Sequence, residues 1–170
     1  MAVRRILIHP DPRLKAANPP AEDPSALRGL AEDMLETMYE APGIGLAAPQ
    51  IGVATRMFVM DCTEKDAPGR PMVLINPRIT WASDALNAHD EGCLSIPDIY
   101  EPVTRPAEVR VAWTDLDGTV QEEAFDGLWA TCAQHEIDHL DGRLFIDHIS
   151  ALKRRLITQK MKKLKRGLEA

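Results

Sequence analysis

Apolar positions recur at helical spacing in two long stretches of the chain and alternate or cluster in several shorter ones. Leu27, Leu30, Met34 and Met38, with Leu35 beside them, predict an amphipathic helix over residues 24–40. Asp23-Pro24 supplies its N-cap and a proline at the first helical position. Leu152, Leu156, Ile157, Met161 and Leu164 predict a last helix, opened by Ser150, with one apolar side and basic residues on the other. Strands are expected at residues 3–8, Arg56–Asp61, Met72–Ile79 and Trp81–Asn87. Residues 108–125 read as a hairpin: Val109, Val111 and Trp113 alternate on its first arm, and Leu116-Asp117-Gly118 makes the turn. A further helix runs from Gly127 to about Asp141, with Asp126 as N-cap and Gly142 placed to end it. The polar Glu64–Pro71 stretch is a loop. No repeat and no second domain interrupt this order, so residues 1–170 read as a single α+β domain.

Composition adds four constraints. A length of 170 residues, 45% apolar and 27% charged, suits one folded domain with a real core. No run approaches the ~18 apolar residues of a membrane span, and the N-terminus is no signal peptide, so a cytoplasmic protein is expected. Cys62, Cys93 and Cys132 are odd in number and make a poor disulfide framework, which leaves each as a core residue or a ligand. The net charge of −6 is unevenly spread: residues 151–170 hold eight basic side chains against Glu169 alone. A basic tail on an acidic body suits either an anionic partner or the wet face of a helix.

The candidate chemistry centres on His135-Glu136-Ile137-Asp138-His139. In a helix, residues four apart share one face, so His135 and His139 can grip one metal ion. Glu136 lies about 100° round the axis, off the ligand line but within reach of a water on that metal. A solvated helix face would give the same five letters. Two histidines fall short of the usual three protein ligands plus water. Downstream, His148, Asp141 and Asp147 repeat no protease third-ligand motif. Upstream, Cys93 sits among Gly92, Leu94 and Ser95, with its thiol exposed and ready for a metal. Cys132 shares the ligand face and is a neighbour or a competitor. The small residues of Gly43–Ala48 leave the backbone nearly bare, as in a loop packed beside a ligand, and Gln50 is the polar group presented there. A HExxH metallopeptidase and a non-catalytic RNA- or ribosome-binding module with a structural metal are the competing readings.

Three segments in order resemble the peptide deformylase family. Its patterns GxGLAAxQ, EGCxS and HExDHLxG match residues 43–50, 91–95 and 135–142 without departures. The resemblance implies small antiparallel or mixed sheets packed around a central metal-binding helix, with an N-terminal and a C-terminal helix. It implies Cys93, His135 and His139 as metal ligands, Fe2+ as the natural metal, and Zn2+, Ni2+ or Co2+ as substitutes. Glu136 would move the proton, while the Gln50 amide and the Leu94 N–H would stabilise the oxyanion. The reaction would be hydrolysis of the formyl group of N-formyl-Met nascent peptides. Ile44, Leu128, Thr131 and Cys132 would form the methionine slot, and the peptide would add as a strand beside Gly43, Ile44 and Gly45. Glu91 and Arg105 would be a supporting ion pair. Asp138 would stand either behind the ligands or as an exposed carboxylate; His9, His89 and His148 look structural or surface-exposed. Tyr100 stands where some members carry arginine. By position and charge, residues 151–166 resemble the helix with which such enzymes dock on the ribosome; neither DNA nor a membrane is an expected partner.

Overall fold

The computed structural model describes residues 2–169. After α1 (Arg28–Glu40) come β1 (Gly45–Ala47), β2 (Met57–Met60), β3 (Met72–Ala82), β4 (Leu86–Cys93), β5 (Ile96–Pro106), β6 (Glu108–Thr114) and β7 (Val120–Asp126). Then follow α2 (Gly127–Leu140) and α3 (Ala151–Glu169). Five strands form an antiparallel sheet in the order β1-β2-β3-β6-β7, and β4 and β5 pair as a separate two-stranded sheet. This is the expected α+β architecture.

The helix α2 is central because its sequence leaves no wet side. Ten of its fourteen residues are buried, the pattern of a helix enclosed by its neighbours rather than one lying on a surface. Ala130, Ala133, Ile137 and Leu140 pack onto Phe58, Leu74 and Val111 of the large sheet. His135, Glu136 and His139 are thereby carried inside, at 7%, 4% and 1% exposure, which removes the solvated-face reading. Asp126 stands at the N-cap position without a side-chain capping bond. Gly142 ends the helix with φ 77°, and a Cβ there would lie 2.6 Å from the Lys15 carbonyl oxygen, so both conformation and space demand glycine.

The other face of the large sheet is covered by α1, whose Met34 and Met38 meet Leu46, Met57, Val59 and Ile75. Each such fully buried side chain contributes about 1.5–3 kcal/mol. The helix opens as expected at Asp23, which accepts from Ser25 N–H, but its first turn, Pro24–Leu27, is 3-10.

Three expectations change. Residues 3–8 form no strand: they run as single-file chain tied to separate partners, Arg4 N–H to Thr37 Oγ1 and Leu7 N–H to the Gln50 carbonyl. The segment 81–87 is divided, with β3 ending at Ala82 and β4 starting at Leu86, because Ser83 Oγ turns back to accept from Glu108 N–H and donate to the Ala85 carbonyl. On α3 only Ile157 and Met161 are buried, against Leu14, Phe145 and Ile146. Leu152 and Leu156 are 61% and 57% exposed, since the contact stripe is one side chain wide.

His9 is buried at the join between the N-terminal segment and α3, where its Nε2 is 2.9 Å from Thr158 Oγ1. Burial first, and then the positive charge of Lys15, hold its pKa down to about 4. The unfolded chain takes up a proton near pH 6.5 that the folded chain refuses. Stability is therefore full above pH 6.5 and falls as the pH drops towards 4. In His9→Gln that part of the loss disappears, and thermal unfolding followed from pH 7 to pH 4.5 should give a shallower decline than in the wild type. Parallel curves for the two proteins would refute it.

Candidate active site

Three elements converge on the HExxH helix. The thiol comes from the end of β4: Cys93 Sγ lies 3.4 Å from His139 Nε2. One ligand-type atom from each of Cys93, His135 and His139 falls within 4.8 Å of the others. A tetrahedral ion with the usual bond lengths to sulfur and nitrogen puts such donors about 3.6 Å apart, so the three residues fit a single cation. The imidazole rings cross edge to face with centroids 5.1 Å apart. Burial presses His139 down towards its neutral form, the form that ligates.

His135 is oriented from behind. Its Nδ1 is 2.9 Å from Glu91 Oε1, which directs Nε2 into the site. Glu91 in turn accepts from Arg105 Nε at 2.6 Å and Nη2 at 2.9 Å. Burial alone would raise the Glu91 pKa, yet His135 and Arg105 outweigh it and bring it to about 2, so this carboxylate stays charged. The ion pair expected from the sequence is present, and it reaches His135 itself.

Glu136 has a different environment. Its Oε2 is 4.0 Å from His135 Nε2, and its Oε1 is buried with no partner among the described residues. Burial, the largest cause, pushes its pKa up to about 7. A carboxylate free of partners and poised near neutrality is suited to take and return protons. The backbone comes against it at Gly45, where a Cβ would lie 2.5 Å from Glu136 Oε2 and 2.7 Å from Cys132 Sγ; hence the bare residue in that loop.

Gln50 sits in a 3-10 turn, Ala48–Ile51, directly after β1. Its Oε1 accepts from Ala47 N–H at 2.9 Å, so the amide can face only one way, and Nε2 donates to Ser95 Oγ at 3.1 Å, 3.5 Å from Cys93 Sγ. Beside the site opens a cavity of about 500 Å3, lined among others by Gly43, Ile44, Gly45, Cys93, Leu94, Leu128 and Glu136. Tyr100, opposite Gly92 in the β4–β5 register, forms part of its wall. Cys132 lies behind that lining, its thiol 3.7 Å from the Ile44 carbonyl oxygen. Thr131 is buried on α2 but is not on the cavity wall. Ser95, Phe145 and His148 are the residues that sequence reasoning gave no role. Ser95 stood inside a matched motif, whereas Phe145 and His148 carried no motif signal.

An α+β fold that buries a HExxH helix, with a cysteine opposite the two histidines, defines a metal-dependent hydrolase. The family model described as polypeptide deformylase matches residues 3–155. A peptide deformylase of Rhodopseudomonas palustris (strain BisB5) is 54% identical over 99% of both chains. Among solved structures, the peptide deformylase of Legionella pneumophila superposes with TM-score 0.90 at 42% identity, covering 99% of this chain and 98% of that one. That of Ehrlichia chaffeensis in complex with actinonin gives 0.93 at 37%, covering 98% and 99%. The chain belongs to the peptide deformylase family. Its reaction is hydrolytic removal of the formyl group from N-formylmethionine of nascent polypeptides.

Proposed function

We propose that Cys93, His135 and His139 hold one divalent metal, Fe2+ in the cell, and that Glu136, Gln50 and the Leu94 N–H carry out the hydrolysis. The observation that carries the assignment is the convergence of one cysteine sulfur and two imidazole nitrogens beside a carboxylate oxygen with no partner among the described residues. A cation held there supplies Lewis acidity to water and to the formyl oxygen. Zn2+, Ni2+ and Co2+ fit the same donor set. Glu136 takes the proton of the attacking water and returns it to the amine that leaves. Gln50 Nε2 and Leu94 N–H donate to the formyl oxygen as negative charge grows on it.

The cavity receives the methionine. Ile44 and Leu128 line it, with Cys132 behind, and the peptide backbone runs beside Gly43–Gly45 as an added strand. All of this lies in one catalytic domain, residues 1–170. Formate release from formyl-Met-Ala-Ser, with metal content measured on protein purified without oxygen, tests the assignment. Stoichiometric iron and turnover are the expected result. Absence of turnover by iron-loaded protein refutes it.

We assign α3 to the ribosome and the protein to the cytoplasm. None of the described helices is long and apolar enough to cross a membrane. Lys160 and Lys163 of α3 are exposed, while Ile157 and Met161 hold the other side of the helix to the body. Charge reversal therefore tests docking without unseating the helix. Lys160→Glu with Lys163→Glu should lower co-sedimentation with ribosomes at low salt and flatten its salt dependence. Unchanged co-sedimentation would exclude this docking face.

A further inference from the structure

The polar chain behind His135 continues beyond the Glu91–Arg105 pair to the protein surface. Arg105 Nη1 donates to Asp138 Oδ2 at 2.8 Å, and the same oxygen accepts from His148 Nε2 at 2.8 Å. Five side chains from β4, β5, α2 and the turn before α3 are thus joined end to end. The exposure of the links rises outward: 3% for Glu91, 6% for Arg105, 17% for Asp138 and 33% for His148.

We propose that His148 is a positioning residue for the metal site, clamping Asp138 so that Arg105 and Glu91 hold the His135 imidazole in its ligating orientation. The guanidinium is a rigid plane whose donors are committed to two carboxylates at once. Its angle, and through it that of Glu91, depends on where both carboxylates stand. Glu91 is the more enclosed of the two, at 3% exposure. Asp138 is the looser of the two, and a single oxygen of it takes both Arg105 and His148; remove His148 and the carboxylate can turn towards water.

The same turn grips His135 a second way. Phe145 and His148 are the two ends of the 3-10 segment Phe145–His148, and the Phe145 ring stacks on the His135 imidazole at 6.0 Å and 22°. The turn is itself fixed, since Asp147 accepts from Leu144 N–H at 2.9 Å and pairs with Lys15 at 2.7 Å. One short rigid segment therefore bears on one ligand both directly and through four side chains.

This inference rests on His135 being a ligand, so the test separates the two. Co2+-loaded protein is challenged with a chelator well below its unfolding temperature, and release is followed by the visible absorption of the bound ion. Outer partners of ligating histidines typically change metal affinity about 10–100-fold, and for this outermost link we expect release about tenfold faster in His148→Ala, with a shifted Co2+ spectrum. His148→Gln, whose amide can still donate to Asp138, should return release to within about twofold of wild type. A loss of fold stability alone would not move release or the spectrum under these conditions. Wild-type release and spectrum in His148→Ala, or no restoration by His148→Gln, overturns the proposal while leaving the ligand assignment standing. If His135→Ala keeps its Co2+ as tightly as wild type, the ligand assignment falls and the proposal with it.

Discussion

Glu136→Gln is expected to keep its metal and lose formate release by at least about a thousandfold, within the 10²–10⁴ range of general acid–base catalysis. The side chains are nearly isosteric, so the buried site keeps its shape, but an amide cannot accept the proton of the attacking water. Metal should be retained because Glu136 is not among the three residues proposed to hold it; its helical phase sets it to one side of them. Nor does any described residue bond Glu136 Oε1, so the substitution breaks no network that holds the fold. Turnover of formyl-Met-Ala-Ser, beside metal content per chain, measures both halves of the expectation. Activity within tenfold of wild type would mean that another group handles the proton. Loss of metal along with activity would mean that Glu136 serves the site as a ligand or a support.

This substitution could be designed from the sequence because its logic is local. The four-residue spacing of His135 and His139 fixes their common face once the segment is helical, and Asp126 and Gly142 mark where that helix begins and ends. The 108–125 hairpin was legible for the same reason: alternation at Val109, Val111 and Trp113, with its turn, is information carried by neighbours. Residues 3–8 show the opposite case. Their apolar run resembles a strand, but they pass between α1 and the site loops, where isolated acceptors such as the Gln50 carbonyl meet them in place of a ladder.

The site divides in the same way. The proposed ligands and Glu136 lie in short motifs, whereas the contacts behind His135 are assembled from residues 91, 105, 138 and 148, which only the tertiary fold brings together. Arg105 and Glu91 were expected through family resemblance alone. His148 has no such marker: its histidine is indistinguishable in the sequence from one on a wet turn, and only the 2.8 Å contact with Asp138 gives it a task. Leu152 and Leu156 fail in reverse. Helical spacing placed them with Ile157 and Met161, but the body presents too narrow a surface to cover all four.

Gln50→Ala should lower kcat by about 10²–10³-fold, or about 3–4 kcal/mol of barrier, the usual cost of removing one oxyanion donor. KM should change little, because the donor acts on charge that develops only in the transition state. A second effect comes from the other end of the amide. Gln50 is 1% exposed, and its Oε1 is the partner of the buried Ala47 N–H. Truncation leaves that donor unpaired, at about 1–3 kcal/mol of fold stability, so the variant should also melt at a lower temperature. Gln50→Glu separates the two effects. Its carboxylate can still accept from Ala47 N–H, which should recover thermal stability, but it offers no amide donor to the formyl oxygen and adds negative charge where more is about to form. We expect it to be at least as inactive as Gln50→Ala. A Gln50→Glu enzyme with kcat within tenfold of wild type would show that the Gln50 side chain fixes the β1 loop and donates nothing to the reaction.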